Sequence, residues 1–361
     1  MYPKLTIDLQ KLKANLDGVA KIVKEDGNRS LMIVTKGLCA DEKMTDMVAA
    51  HPAVDYMADS RMENIKTYKE KAEKSHKETL LLRLPMKCEI RDVVAYADIS
   101  FNSELFTLRL LQEEAKKQGK VHKVVLMIDL GDLREGIFFR DEDKIQETVG
   151  AILKMDSLKL IGVGVNLTCY GAIIPSRENL SQLVGWAERI EAKFGITLEM
   201  ISGGNSSSVY LIEQGDLPGK INNLRLGEAF LLGNDTAYGA KLPGTVDDAL
   251  ILEAQIIELQ EKPSLPIGEV GVDAFGQKPE YKDRGIIKRA ILAIGQQDTA
   301  ADSMTPLDEN IDILGSSSDH LILDVTRSDK AYQVGDVVEF KVGYGGMLKA
   351  STSPYVEKVY K

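Results

Sequence analysis

Along the first two-thirds of the chain, short runs of apolar, often branched residues alternate with longer segments in which apolar residues recur at three- and four-residue steps. The short runs are LMIVTKG (31–37), YMADS (56–60), TLLLRLP (79–85), DISFNS (98–103), KVVLMIDLG (123–131), LKLIGVGVNL (158–167), EMISGGN (199–205) and NNLRLGEA (222–229). Each predicts a strand, and LQKLKANLDGVAKIVKE, SELFTLRLLQEEAKKQ, DEDKIQETVGAILKM and SRENLSQLVGWAERIEAKF between them predict helices. Near-continuous apolar strands need cover on both faces, so the pattern calls for a parallel sheet, and eight strand–helix units fit a closed (β/α)8 TIM barrel. An open doubly wound sheet is the alternative, but G-x-G-x-x-G after the first strand is absent, since Gly37 stands alone in VTKGLCAD.

Beyond Gly233 the pattern changes. TVDDALILEAQIIELQEK, GIIKRAILAIGQQD, DHLILDVT and VGDVVEFKVG are strand-like and separated by Gly, Pro and Asp, with no long helical period. They predict a C-terminal all-β domain over 235–361, joined by an N-terminal strand in 1–8, with the barrel occupying 9–234. The length of 361 residues suits two domains.

Composition narrows the function. Lys and Arg number 45 against 55 Asp and Glu, a net charge of −10, so no broad basic surface is on offer and nucleic acid is not an expected partner. No run of about 18 apolar residues appears, so no membrane span is expected, and MYPKLTIDLQKLKANL lacks the apolar core of a signal peptide. Cys39, Cys88 and Cys169 are odd in number and widely spaced, which suits a reducing compartment. The expectation is a soluble, cytoplasmic protein.

In such a barrel the working residues sit at the carboxyl ends of the strands, and here those ends are polar. A lysine closing an apolar strand, Lys36, is either desolvated, with the lowered pKa that suits covalent capture of a carbonyl, or extended to solvent. The turn Gly203-Gly204-Asn205-Ser206-Ser207-Ser208 offers amides and hydroxyls to an anion such as phosphate, or is a plain capped turn. Arg134 and Arg225 suit a phenolate, carboxylate or ring nitrogen, or pair with Glu135 and Glu228. Cys39 and Cys169 fall just beyond the first and sixth strands and either face the mouth or are buried thiols. His51, His76, His122 and His320 form no pair at metal-ligand spacing, so no metal site is expected.

Lys36 after the first strand, Arg134 in DLGDLREG, Ser206 in GGNSSS, Arg225 in LRLGEA and a C-terminal β domain occur together and in order. That combination resembles the alanine-racemase-like family of fold type III pyridoxal-phosphate enzymes, nearly end to end. VTKGLCAD, DLGDLREG, GGNSSS, RLGEA, AIGQQD and GSSSDH look most like its ornithine racemase branch.

The resemblance implies pyridoxal 5'-phosphate as cofactor and racemisation of an amino acid by two-base proton transfer at Cα. Lys36 matches the lysine that bonds the cofactor and serves as one base. Ser206, the amides around Gly227 and Glu228, and Tyr360 match the phosphate-binding set; Arg134 matches the arginine beside the phenolic oxygen and Arg225 the one facing the pyridine nitrogen, and Asn166 at the sixth strand end joins them. The sequence departs from alanine racemases at Gln296, where they carry the tyrosine that is the other base, at Ala40 and at Met127. The second base is therefore sought among Cys169, Asp298 and His320, the last two reaching in from the partner in a head-to-tail homodimer. Asp298, Asp319 or Glu228 would meet the distal ammonium of a basic amino acid such as ornithine. The alternatives are a racemase of alanine or serine, a barrel-only pyridoxal-phosphate homeostasis protein, and a metal-assisted D-amino-acid aldolase or dehydratase of the same fold.

Overall fold

With the N-terminal strand Lys4–Ile7 numbered β1, the eight apolar runs become β2 (Ser30–Val34), β3 (Val54–Asp59), β4 (Glu78–Leu81), β5 (Ile99–Asn102), β6 (His122–Asp129), β8 (Leu158–Gly164), β9 (Met200–Ser202) and β10 (Asn223–Leu226), with a short β7 (Ile137–Phe138) beside β6. This is a computed structural model, and it describes residues 1–25 and 27–361. The eight strands pair in parallel in chain order, and β10 returns to β2, closing the barrel. Their inward side chains, among them Met32, Val34, Ala58, Leu80, Phe101, Val125, Met127 and Met200, form one buried cluster, so the barrel is a packed core and not a pore. Gly162 permits the closest approach in that wall, since a Cβ there would lie 2.0 Å from the Met200 carbonyl oxygen.

Helices follow the strands: α1 (Leu9–Lys24), α2 (Glu42–Ala50), α3 (Met62–Lys74), α4 (Ile90–Tyr96), α5 (Leu105–Lys117), α6 (Glu142–Ile152), α7 (Arg177–Phe194), α8 (Tyr210–Glu213) and α9 (Glu228–Leu232). The spacing that predicted them is the spacing they bury: Leu12, Leu16, Val19 and Val23 of α1 are fully buried, four and three residues apart. α7 begins where Ser176 and Asn179 cap one another, Asn179 N–H donating to Ser176 Oγ at 3.2 Å and Ser176 N–H to Asn179 Oδ1 at 2.8 Å, and it stops at the left-handed Gly195.

The chain divides into two compact units, Lys13–Val246 and Met1–Leu12 with Asp247–Lys361, whereas the sequence placed the boundaries at 9 and 235. The segment up to Val246 stays with the barrel because Asn15 grips it: Asn15 Nδ2 donates to Val246 O at 2.9 Å and Val246 N–H donates to Asn15 Oδ1 at 2.6 Å. Thr245 Oγ1 also donates to Gly233 O at 2.6 Å.

The second unit is built on an antiparallel sheet of β11 (Leu250–Pro263), β12 (Ile286–Leu292), β13 (Met304–Pro306), β14 (Asp312–Ser316), β15 (Leu321–Asp324) and β16 (Val337–Val342), in the order β13-β16-β11-β12-β15-β14. β1 joins it beside β11, and β17 (Glu357–Tyr360) runs parallel to β1. A helix the pattern did not predict, α10 (Tyr344–Thr352), completes the unit, so it is not all strand. Its glycines hid it: Gly346 is a weak helix former, but a Cβ there would lie 2.8 Å from Ser303 O, and its absence lets the helix seat against that turn.

Candidate active site

β2 delivers Lys36 two residues past its end. Thr35 fixes the approach, donating from its N–H to Ala58 O at 2.9 Å and from Oγ1 to Asp59 Oδ2 at 2.7 Å. The chain then makes one tight turn over Lys36–Leu38 and leaves through two left-handed non-glycine residues, Cys39 (φ 54°) and Ala40 (φ 49°), with Ala40 N–H returning to Thr35 O at 3.1 Å. Such backbone persists only where its surroundings hold it, and here it aims a half-buried lysine. Desolvation drives the Lys36 amine below its ordinary range; the Arg134 guanidinium pushes the same way, while Cys169, Asp59 and Glu135 oppose it. Of the two sequence readings, the structure supports the desolvated one.

Asp129 Oδ1 shapes the loop after β6, accepting from Gly131 N–H at 2.8 Å and Leu133 N–H at 3.1 Å. Arg134 follows and forms the ion pair with Glu135 that the sequence allowed. Burial alone would lower the Arg134 pKa, yet Glu135, with Cys169 and Asp132, holds it raised. The pair leaves Arg134 facing the Asn166 carboxamide, whose oxygen accepts from Nη2 at 2.9 Å and Nη1 at 3.2 Å in the orientation that satisfies both groups.

The glycine–serine turn after β9 holds Asn205 as a bracket. Its Oδ1 accepts from Ser207 N–H at 2.8 Å, and its Nδ2 donates to Leu167 O at 2.9 Å and to Cys169 Sγ at 3.3 Å. Ser206 Oγ accepts from Ala229 N–H at 3.1 Å, tying this turn to the start of α9. Gly227 lies against β2, since a Cβ on it would be 3.2 Å from Val34 Cβ.

Arg225 points into the barrel from β10 and is 4% exposed. Among the described residues it has no ion pair within 4 Å, with Glu228 or any other carboxylate; it is satisfied by Ser202 Oγ and Val165 O, each at 2.7 Å. Burial lowers its pKa to about 10, so it stays charged near neutrality. Glu228 is a half-buried carboxyl with no hydrogen bond among the described residues, and desolvation raises it to about 7 against the pull of Lys36.

Lys36, Arg134, Asn166, Cys169, Ser206, Arg225, Gly227 and Glu228 thus belong to one unit, at or near the carboxyl ends of its strands. Asp298, His320 and Tyr360 belong to the other. Asp298 is buried and accepts from Ser353 Oγ at 2.6 Å, His320 is exposed beside β15, and Tyr360 lies on β17 in register with Ile7. Asp59, Asp132, Ser202 and Asn205 received no role from the sequence. Their only signal was a polar residue at a strand end, which does not say which amide or side chain it will meet. No group of three or more His, Cys, Asp or Glu that could hold a metal ion occurs among the described residues.

The model of the alanine racemase N-terminal domain family matches residues 7–235. The chain is 51% identical over 358 residues to an ornithine racemase of Acetoanaerobium sticklandii, covering 99% of each. It is 36% identical over 363 residues to a lysine racemase of Thermotoga maritima, covering 100% of this chain and 99% of that one. A solved alanine racemase from Bartonella henselae with covalently bound pyridoxal phosphate shares the fold at a TM-score of 0.71 and 18% identity, over 99% of both chains.

Proposed function

This chain belongs to the alanine racemase N-terminal domain family, and from that premise we propose that it is a pyridoxal-phosphate racemase interconverting the L and D enantiomers of ornithine or a related basic amino acid. The observation that carries the reading is the desolvated Lys36 amine set among Arg134, Asp59 and Cys169. The substrate class rests on the ornithine and lysine racemases to which the chain is similar.

The residues present fit the cofactor. Ser207 Oγ is buried without a partner, the Ser206 hydroxyl hydrogen is donated to no acceptor among the described residues, and a Cβ on Gly204 would fill the same turn, 2.5 Å from Ser208 Oγ. An anion would be received there. In this reading Ser206 and the amides of Gly227 and Glu228 would hold the phosphate, Arg134 and Asn166 would hold the phenolic oxygen, Arg225 would meet the ring nitrogen, and Lys36 would anchor the group. Bound so, the cofactor supplies a sink for the electron pair left at Cα when its proton departs.

The chain's own residues then divide the work. Lys36, its amine made easier to deprotonate by desolvation, takes or returns the Cα proton on one face. Arg225 stays cationic and donates no proton to the ring, because its guanidinium binds its own proton too firmly. The opposite face needs a second group, and we assign it to the exposed Cys169, whose sulfur follows β8 at the strand ends and is held by Asn205 Nδ2 at 3.3 Å. Asp298 and His320 of a partner subunit in a head-to-tail homodimer are its competitors. Glu228, without a hydrogen-bond or ion-pair partner among the described residues, receives the distal ammonium. We place the enzyme in the cytoplasm; no helix among the described residues is long and apolar enough to cross a membrane.

Racemisation of alanine, serine, lysine, arginine and ornithine, followed by loss of optical rotation, tests this reading. A preference for ornithine or lysine supports it, and a preference for alanine or serine overturns the basic substrate.

A further inference from the structure

We propose that Asp132 is a positioning residue for proton transfer: its carboxylate folds the segment 168–173 and so sets the Cys169 sulfur at the barrel mouth. Asp132 is fully buried. A carboxylate survives there only if hydrogen bonds replace its water, and one short stretch supplies them: Thr168 N–H at 2.9 Å and Ile173 N–H at 3.2 Å to Oδ1, and Tyr170 N–H at 3.0 Å to Oδ2. Cys169 lies between the first two donors.

The segment would not take this shape unaided. Thr168 (φ 73°) and Ala172 (φ 54°) are left-handed without being glycine, and Thr168 Oγ1 donates to Ile173 O at 3.1 Å to close the turn. Gly171 approaches so near that a Cβ on it would lie 2.7 Å from Asp132 O. From the other side Asn205 donates to Cys169 Sγ at 3.3 Å and to Leu167 O at 2.9 Å. The loops after β6 and β9 therefore clamp the loop after β8, and Cys169, although exposed, has its sulfur located. Asp132 acts through the segment and not on reacting atoms.

This inference rests on the role given to Cys169 above, and the test separates the two. The holoenzyme is incubated with L- or D-ornithine in deuterium oxide, and deuterium entry at Cα is measured for each. Cys169→Ser is expected to slow exchange from one enantiomer at least about tenfold more than from the other, as loss of one of two bases requires. Asp132→Asn turns an N–H toward a backbone donor, and Gly171→Ala pushes the segment away while leaving the carboxylate in place. Both are expected to reproduce that enantiomer bias, to keep the visible absorbance of bound cofactor and a KM within about twofold, and to raise amide hydrogen exchange across 168–173 at least about tenfold. If Cys169→Ser shows no bias, the role of Cys169 falls and Asp132 has nothing catalytic to position. If Cys169→Ser shows the bias but both other variants slow the two enantiomers equally, or neither, the inference about Asp132 alone is overturned.

Discussion

Inside the barrel the Arg225 guanidinium donates from Nη1 to Ser202 Oγ at 2.7 Å, and Ser202 Oγ donates onward to Asn223 Oδ1 at 2.6 Å. A buried cation is thus satisfied by neutral groups, with the Phe101 ring 5.1 Å from the guanidinium carbon. A carboxylate in that place would neutralise the charge; a hydroxyl leaves it available for the ring nitrogen that we propose it meets.

Removing the hydroxyl should cost accordingly. Ser202→Ala strands a charged donor in the core and is expected to lower stability by about 1.5–3 kcal/mol, read from the midpoint of denaturant unfolding at unchanged slope. No change in midpoint would mean that Arg225 finds an equivalent acceptor.

In the role proposed for Lys36, Lys36→Ala removes both the covalent anchor and one base. Racemisation is expected to fall by at least about 10²-fold, and added pyridoxal phosphate to give no absorbance of a lysine-bound cofactor. The apo variant should unfold no earlier than the parent, because a desolvated amine has been deleted. Retained cofactor absorbance would remove Lys36 from its role.

Glu228 gives stability a pH dependence of definite sign. Its folded pKa, about 7, lies above the ordinary value of 4.5, so between these the folded state binds the proton and the unfolded state does not. Its contribution is undiminished below about 4.5 and is lost as pH rises through about 7. Glu228→Gln should therefore make the apo protein about 1–3 kcal/mol more stable at pH 8 relative to parent while changing little at pH 4.5. Denaturation at the two pH values checks this; an equal change at both contradicts it. In turnover, the same variant should raise KM for ornithine more than for alanine.

Gly204 (φ 117°) occupies backbone that L side chains resist, and its Cβ would crowd Ser208 Oγ at 2.5 Å. Gly204→Ala is expected to cost about 1–3 kcal/mol and to weaken pyridoxal-phosphate binding, measured by titration of absorbance, while Gly219→Ala, with open space around it, should do neither.

The barrel was legible because burial on both faces imposes unbroken apolar runs, and each of the eight runs became a strand. Lys36, Arg134, Ser206 and Arg225 were legible by type and order. Asp132 and Asn205 were not: they are 36 and 38 residues from their partners Thr168 and Leu167, and nothing local marks the pairing. α10 was hidden because its glycines serve close packing against Ser303, which propensity does not register.

The sequence by itself determined the alternation of strand and helix, the second sheet and the residue types available at each strand end, since hydrophobic period and backbone chemistry are local properties. Tertiary structure decided that Lys36 is desolvated, that among the described residues Arg134 has an ion-pair partner while Arg225 and Glu228 have none, and which amides a buried Asp132 gathers. Those are consequences of dielectric and distance, and both exist only once strands far apart along the chain have closed on one another.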